Sequence, residues 1–246
     1  MIANEPLNRF AFLLVEAEVG CDFSSELSAQ NRTESTYSPE ALREQAETDR
    51  LIDYVNQQIE LLAFEDPNPE LLQQMVRRLR DPRRRARIRL VEAFVEIGEV
   101  ATPVLLNGLK TEADPTVRVA CCNALTNIGD ATAVPGLVEA LTGDRDISVK
   151  GAAAGALAKI GKPAFESLKA ILADETASEI CKGHVAWAIA LMSREVEAQL
   201  YSSLNDSSAT VRTAIVGAIA QLAQAQTTEA QRMELQAIPE PASNPL

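Results

Sequence analysis

"VRVACCNALTNIGDATAVPGLVEAL", residues 117–141, decides the fold. Apolar residues fall at Val117, Cys121, Ala124 and Ile128, spaced by four, three and four, which is one face of an α-helix. Gly129 follows, at the place where a left-handed stop is cheapest. A second amphipathic stretch, "AVPGLVEAL", then runs to Leu141 with Pro135 near its start, where a missing N–H costs little. The whole reads as two antiparallel helices, a unit too small to fold alone.

Working outward, the first half recurs. "ARIRLVEAFVEIG" begins at Ala86, "VKGAAAGALAKIG" at Val149, "CKGHVAWAIALMS" at Cys181 and "VRTAIVGAIAQLA" at Val211, so that the five copies start 30 to 32 residues apart. Position two is always basic: Arg87, Arg118, Lys150, Lys182, Arg212. Position eight is always alanine: Ala93, Ala124, Ala156, Ala188, Ala218. An alanine in the middle of the apolar face lets two helices approach closely. Gly98, Gly129 and Gly161 end three copies, and Pro103, Pro135 and Pro163 open the stretches that follow. Asp81, Asp114, Asp146 and Asp206 precede four copies as expected N-caps. Side-by-side units bury one continuous core, so the predicted fold is all-α, a right-handed α-solenoid of about five repeats.

The flanks differ in kind. Residues 1–37 read as an N-terminal segment with a short helix within 2–20 and a polar, turn-rich loop over 24–37. Residues 38–80 read as a helical cap: Ser38, Pro39 and Glu40 open a helix running to about Phe64, and "NPELLQQMVRRLR" supplies another. The solenoid is expected over 81–235. The tail 236–246, with "IPEPASNPL", cannot form a helix and is expected to be disordered.

Composition narrows the function classes. The chain has 246 residues, 46% of them apolar and only 4% aromatic, with a net charge of −12. Such an acidic balance argues against broad nucleic-acid or membrane binding. Four cysteines without a C-x-x-C point to a reducing cytosol rather than a disulfide framework. "MIANEPLNRFAFLLVEAEVG" lacks the basic start and apolar core of a signal peptide, and no apolar run approaches a membrane span.

One stretch breaks the acidic average. Arg77 to Arg89 hold eight arginines and one aspartate, a net +7, so the rest of the chain carries −19. Arg77, Arg78 and Arg80 suit a helix C-terminus, whereas Arg83, Arg84 and Arg85 at a helix N-terminus oppose the dipole. Glu60, Glu65, Asp66 and Glu70 are the expected counter-charges; the competing reading is a docking patch for an acidic partner. The Arg/Lys of position two is expected to bond aspartates of adjacent turns, locking unit to unit. His184, the single histidine, shares a helix with Cys181 and Trp187, and Tyr201 lies further on. A lone Cys-x-x-His is a poor metal site without two further ligands, and Cys181 falls at a core position. Gly151 and Gly155 lie inside a helix and serve packing. No Ser-His-Asp order, phosphate loop or nucleotide fingerprint occurs, so the residues themselves describe an interaction scaffold with no catalytic constellation and no metal.

The short period, the Val-Arg start, the Ile-Gly-Asp turn and the Ala-x-Pro-x-Leu second helix resemble the compact HEAT-like repeats named for phycobilisome lyases. Residues 117–141 and 149–172 carry that resemblance, and 181–222 is similar to the C-terminal half of members of the group. The resemblance implies a phycobilisome-associated protein acting on phycobiliproteins, either in bilin attachment and detachment or in antenna degradation. It implies phycobiliprotein subunits as partners, with a second HEAT-repeat subunit or protease machinery beside them. It also implies a transient bilin of the phycocyanobilin type, and a cytoplasmic site at the stromal or cytoplasmic face of thylakoids. The second helix of each pair is then expected to line the binding surface. Arg84, Arg85 and Arg89 are the candidates for bilin propionates, with Trp187 and Tyr201 for stacking; Arg83 and His184 complete the candidate ligand- or partner-binding residues. No catalytic residue carries over. The alternative class is a non-catalytic solenoid adaptor for another acidic or helical protein.

Overall fold

The computed structural model describes residues 38–61, 68–192, 194–206, 208–220 and 223. The expected helix within 2–20, the loop 24–37, the helix end near Phe64 and the tail 236–246 lie outside the described residues. Contacts divide the chain into 1–45 and 46–246. Of the first unit, residues 38–45 are described; they open α1 (Pro39–Glu60) as the Ser38, Pro39, Glu40 order predicts, with Ser38 Oγ accepting from the Ala41 N–H at 3.1 Å.

From Ala46 onward the described residues are helices and tight turns, with no strand. After the remainder of α1 come α2 (Pro69–Arg78), α3 (Arg84–Ile97), α4 (Thr102–Thr111), α5 (Pro115–Ile128), α6 (Val134–Gly143), α7 (Ile147–Ile160), α8 (Lys162–Ala173), α9 (Glu179–Leu191) and α10 (Glu197–Ser202). A further helical run, α11, spans 209–220. Two rows result. The first helices α3, α5, α7 and α9 stack on one another, and α2, α4, α6 and α8 form the parallel second row. The expected cap helix α2 is thus the opening member of the second row. None of the described helices is long and apolar enough to cross a membrane.

Small residues hold the first row together. Ala93, Ala124, Ala156, Ala188 and Ala218 are all at most 2% exposed. A methyl group at such a buried position lets neighbouring helices approach closely. Larger side chains fill the space between the rows: Phe94 and Phe165, and leucines such as Leu90, Leu125, Leu157 and Leu168, are fully buried. The second row uses glycine for the same purpose. A Cβ on Gly108 of α4 would lie 2.7 Å from Val76 Cγ1 of α2, and one on Gly136 of α6 would lie 2.6 Å from Leu106 Cδ2 of α4. Successive second helices therefore repeat one contact, a branched side chain seated on a glycine.

The turns follow the sequence in most particulars. Gly129 adopts the left-handed αL conformation, φ 73° and ψ 15°. Gly98 and Gly161 also have positive φ, but with ψ near −149° and −129°, a region essentially closed to other residues. Asp114 and Asp146 cap α5 and α7 through the N–H of Thr116 and Ser148. Asp81 and Asp206 do not cap. Each lies two residues ahead of the N-cap position and accepts from the N–H of Arg83 or Ser208 instead. The Arg83 cap position of α3 has no side-chain cap bond. Ser178, which the sequence reading passed over, caps α9 through the Cys181 N–H.

This packing predicts opposite outcomes for two Gly→Ala changes. Gly108→Ala overpacks the Val76 contact and is expected to cost about 1–3 kcal/mol. Gly183→Ala, in the middle of exposed α9 with nothing within 4 Å of the added carbon, is expected to stabilise by up to about 1 kcal/mol. Denaturant unfolding of the two variants checks both signs.

Candidate functional site

Three features were candidates for chemistry: the arginine cluster, the basic ladder, and the His184–Trp187 segment. The cluster surrounds the turn between α2 and α3. Arg83, the cap residue of α3, is held on two sides. It grips Asp81 through Nε and Nη2 at 3.0 Å each, and Asp49 of α1 through Nη1 and Nη2 at 2.9 and 3.0 Å. Burial raises the Asp81 carboxyl, but the Arg83 guanidinium and N–H, with the Thr48 hydroxyl, more than reverse this and hold it below the usual range. Bonds to Asp81 and Asp49 raise Arg83 in turn. Arg78 pairs with Glu47, and Arg89 with Asp53 at 3.0 Å. The counter-charges are therefore Glu47, Asp49 and Asp53 on one stretch of α1, with Asp81. Glu60 and Glu70, which sequence proximity suggested, are not among them, and Glu65 and Asp66 lie outside the described residues. Arg77, Arg80, Arg84 and Arg85 remain exposed around the same turn.

The ladder has a different job from the one expected. Arg87 donates to the carbonyls of Asp81 and Pro82 at 2.7 and 3.1 Å, Lys150 to Thr142 at 3.0 Å, and Arg212 to Asp206 at 2.6 Å. Arg87 and Arg212 tie off carbonyls in the turn just before their own helices, and Lys150 ties off one in the last turn of α6. Lys182 instead approaches Glu179 of its own helix at 3.7 Å. Arg118 makes an aspartate ion pair, a bidentate grip on Asp144 at 2.7 and 2.9 Å that joins α5 to the turn after α6. It also donates to the carbonyls of Glu112 and Ala113. Burial raises Asp144, while the Arg118 guanidinium and the N–H groups of Asp146 and Arg145 lower it further, to a net downward shift.

His184 and Trp187 form the third feature. Both project from α9 toward α7, where Gly151 and Gly155 make room. A Cβ on Gly151 would stand 3.7 Å from His184 Nε2, and one on Gly155 would stand 3.8 Å from the six-membered ring of Trp187. His184 Nδ1 is 2.9 Å from the Ile180 carbonyl, so Nδ1 carries the proton and Nε2 presents its lone pair above Gly151. Ile180, 59% exposed, and Leu191, 51% exposed, extend the stripe at positions 180, 184, 187 and 191. Ile147 at the start of α7 is equally exposed. The outward faces of the first row change along the stack: Arg85, Arg89, Glu92 and Glu96 on α3; Thr116 and Asn123 on α5; Ile147, Gly151 and Gly155 on α7; the aromatic stripe on α9. Charge gives way to apolar surface.

The sequence candidates do not form one site. Trp187 belongs to the first row and Tyr201 to α10, its antiparallel partner helix. Arg84, Arg85 and Arg89 stand on α3, separated from α9 by α5 and α7, which is about 25–30 Å at ordinary helix spacings. The expected binding surface on the second helices also misses His184 and Trp187, which are on a first helix. The thiols of Cys121, Cys122 and Cys181 are buried, as the core position of Cys181 predicts: burial pushes Cys121 up to about 12 and raises Cys122 and Cys181. Among the described residues no group of three or more His, Cys, Asp or Glu could hold a metal ion.

Residues 102–190, from α4 nearly to the end of α9, match the family model for HEAT repeats. Among solved structures, the complex of CpcE and CpcF of phycocyanin lyase from Nostoc sp. PCC7120 is 20% identical with a TM-score of 0.45, over 61% of this chain and 99% of that one. Human deoxyhypusine hydroxylase in complex with glycerol is 15% identical with a TM-score of 0.24, over 74% of this chain and 98% of that one. No curated protein matches the chain.

The Arg118–Asp144 clamp generates a prediction about pH. Both side chains are largely buried, so Asp144→Asn leaves an unpaired guanidinium and is expected to cost about 3 kcal/mol at neutral pH. Asp144 and Asp81 both titrate below the ordinary 3.8 when folded. Their contribution is complete above that value and is lost as pH falls through the lowered folded values. Urea unfolding from pH 7 down to strongly acid conditions should show the gap between wild type and Asp144→Asn closing only below pH of about 4.

Proposed function

We propose that the chain is a HEAT-repeat docking protein of the phycobilisome, acting on phycobiliproteins in bilin attachment, bilin detachment or antenna degradation. The resemblance of 117–141, 149–172 and 181–222 to the phycobilisome-lyase repeats supports this reading. The observation that carries it is the stripe of Ile180, His184, Trp187 and Leu191 laid across Gly151 and Gly155. An open, nearly uncharged aromatic surface on a rigid helical stack suits a flat conjugated molecule or the apolar face of a helical protein.

On this reading the face of Trp187 stacks against a bilin, and His184 Nε2 accepts a hydrogen bond from a pyrrole N–H. Lys159, one turn beyond Gly155, is the cation within reach of a propionate. Arg84, Arg85 and Arg89 stand too far along the row to share that ligand, and Tyr201 belongs to a separate surface. A bilin supplies the conjugated chromophore whose colour reports its conformation; the chain supplies the plane, the acceptor and the exclusion of water.

Titrating the purified chain with phycocyanobilin tests the reading. The expected result is a visible absorbance change together with quenching of Trp187, the single tryptophan, at micromolar concentration. Trp187→Ala should weaken binding by about tenfold, the scale of one stacking contact, without altering the far-UV circular dichroism. Absence of any spectral change removes bilin binding. If a pull-down with phycobiliprotein subunits is also empty, the phycobilisome reading falls and a helical adaptor of other specificity remains.

A further inference from the structure

Six of the eight arginines around the α2–α3 turn fall into two groups. Arg78, Arg83 and Arg89 are matched to Glu47, Asp49 and Asp53 of α1. Arg77, Arg80 and Arg85 are exposed, and no carboxylate among the described residues pairs with them. Arg80 uses its Nε on the Arg77 carbonyl at 2.8 Å, which fixes the side chain at the rim of the turn and leaves its Nη groups to the solvent. The backbone acceptors close by are already taken. The carbonyl of Val76 accepts from the Leu79 N–H, that of Arg78 from the Asp81 N–H, and those of Asp81 and Pro82 from Arg87. Among the described residues, three guanidinium groups within nine residues thus stand without an anion, in a chain whose acidic residues outnumber its basic ones by 35 to 23.

We infer that this rim is a docking surface for a short carboxylate-rich segment of another protein. Guanidinium groups bind carboxylates in bidentate fashion, and clustered arginines do so additively. The surroundings restrict the kind of anion. Glu47, Asp49 and Asp53, themselves 46–72% exposed, border the rim on the α1 side. A long, uniformly charged polyanion such as a nucleic-acid duplex, or the plane of an anionic membrane, would meet those carboxylates within a Debye length and be repelled. A short acidic run fits between them, and a basic residue flanking it would find Asp53. No aromatic side chain is interleaved among these arginines to stack a base, which also disfavours single-stranded nucleic acid. This inference uses residues remote from Trp187, so it stands or falls independently of the phycobilisome reading.

Anisotropy of a labelled oligoglutamate peptide, titrated with the full chain at low and at physiological salt, tests it. Binding should appear at low salt, weaken as salt rises, and fall about tenfold in Arg77→Gln/Arg80→Gln/Arg85→Gln. All three side chains are exposed, so the variant should keep the wild-type melting temperature. A Lys110→Gln/Lys162→Gln control, which removes the same kind of charge elsewhere, should bind as wild type does. Failure to bind at low salt overturns the inference, as does equal binding by the triple variant or equal loss in the control. So does tighter binding of a DNA duplex or of phosphatidylserine vesicles than of oligoglutamate.

Discussion

The close approach of the first helices is the constraint on which the rest of the structure depends. Ala93, Ala124, Ala156, Ala188 and Ala218 occupy one register position in successive helices and are all buried. A larger side chain at any of them would push two helices apart along their whole length. Once that spacing is set, the second row must match it, and Gly108 and Gly136 allow it to do so. The leucines and phenylalanines between the rows then fill a space whose width the small residues have already decided. Stability is built from nearest neighbours, as in other stacked-repeat proteins.

Against this regular background the surface is uneven. The stack has a charged end, where α1 and the α2–α3 turn exchange ion pairs, and an apolar end, where Gly151 and Gly155 let His184 and Trp187 lie flat. A glycine inside a helix weakens it, and α7 carries two on its outward side. The return for that loss is a half-buried ring surface and an imidazole whose tautomer its own helix sets.

Much of the fold was legible because its signals are local. Apolar spacing, the glycine after Ile128 and the aspartates before Thr116 and Ser148 each act within a turn or two. The capping role given to Asp81 and Asp206 missed by two residues, because an aspartate can equally turn the chain ahead of the cap. Partners distant in sequence were not legible. Nothing in the spacing links Arg83 to Asp49, or shows that Arg118 reaches Asp144 while Lys150 and Arg212 stay with carbonyls of their own turns. The helical row of each residue could be read from its repeat position. The isolation of Trp187 from Tyr201 and from the arginines of α3 became evident only once the helices were stacked.

The brevity of α10 has a consequence for dynamics. At six residues it is the shortest of the α-helices among the described residues, against ten to fourteen in the pairs before it. So short a helix has little cooperativity of its own, and the unit it shares with α9 should open locally well before the interior, with faster amide exchange. The aromatic stripe straddles that seam, its rings on the looser unit and its glycine floor on the tighter one. Whatever binds there would act as a rivet, and its presence would be felt as slowed opening of the last repeats.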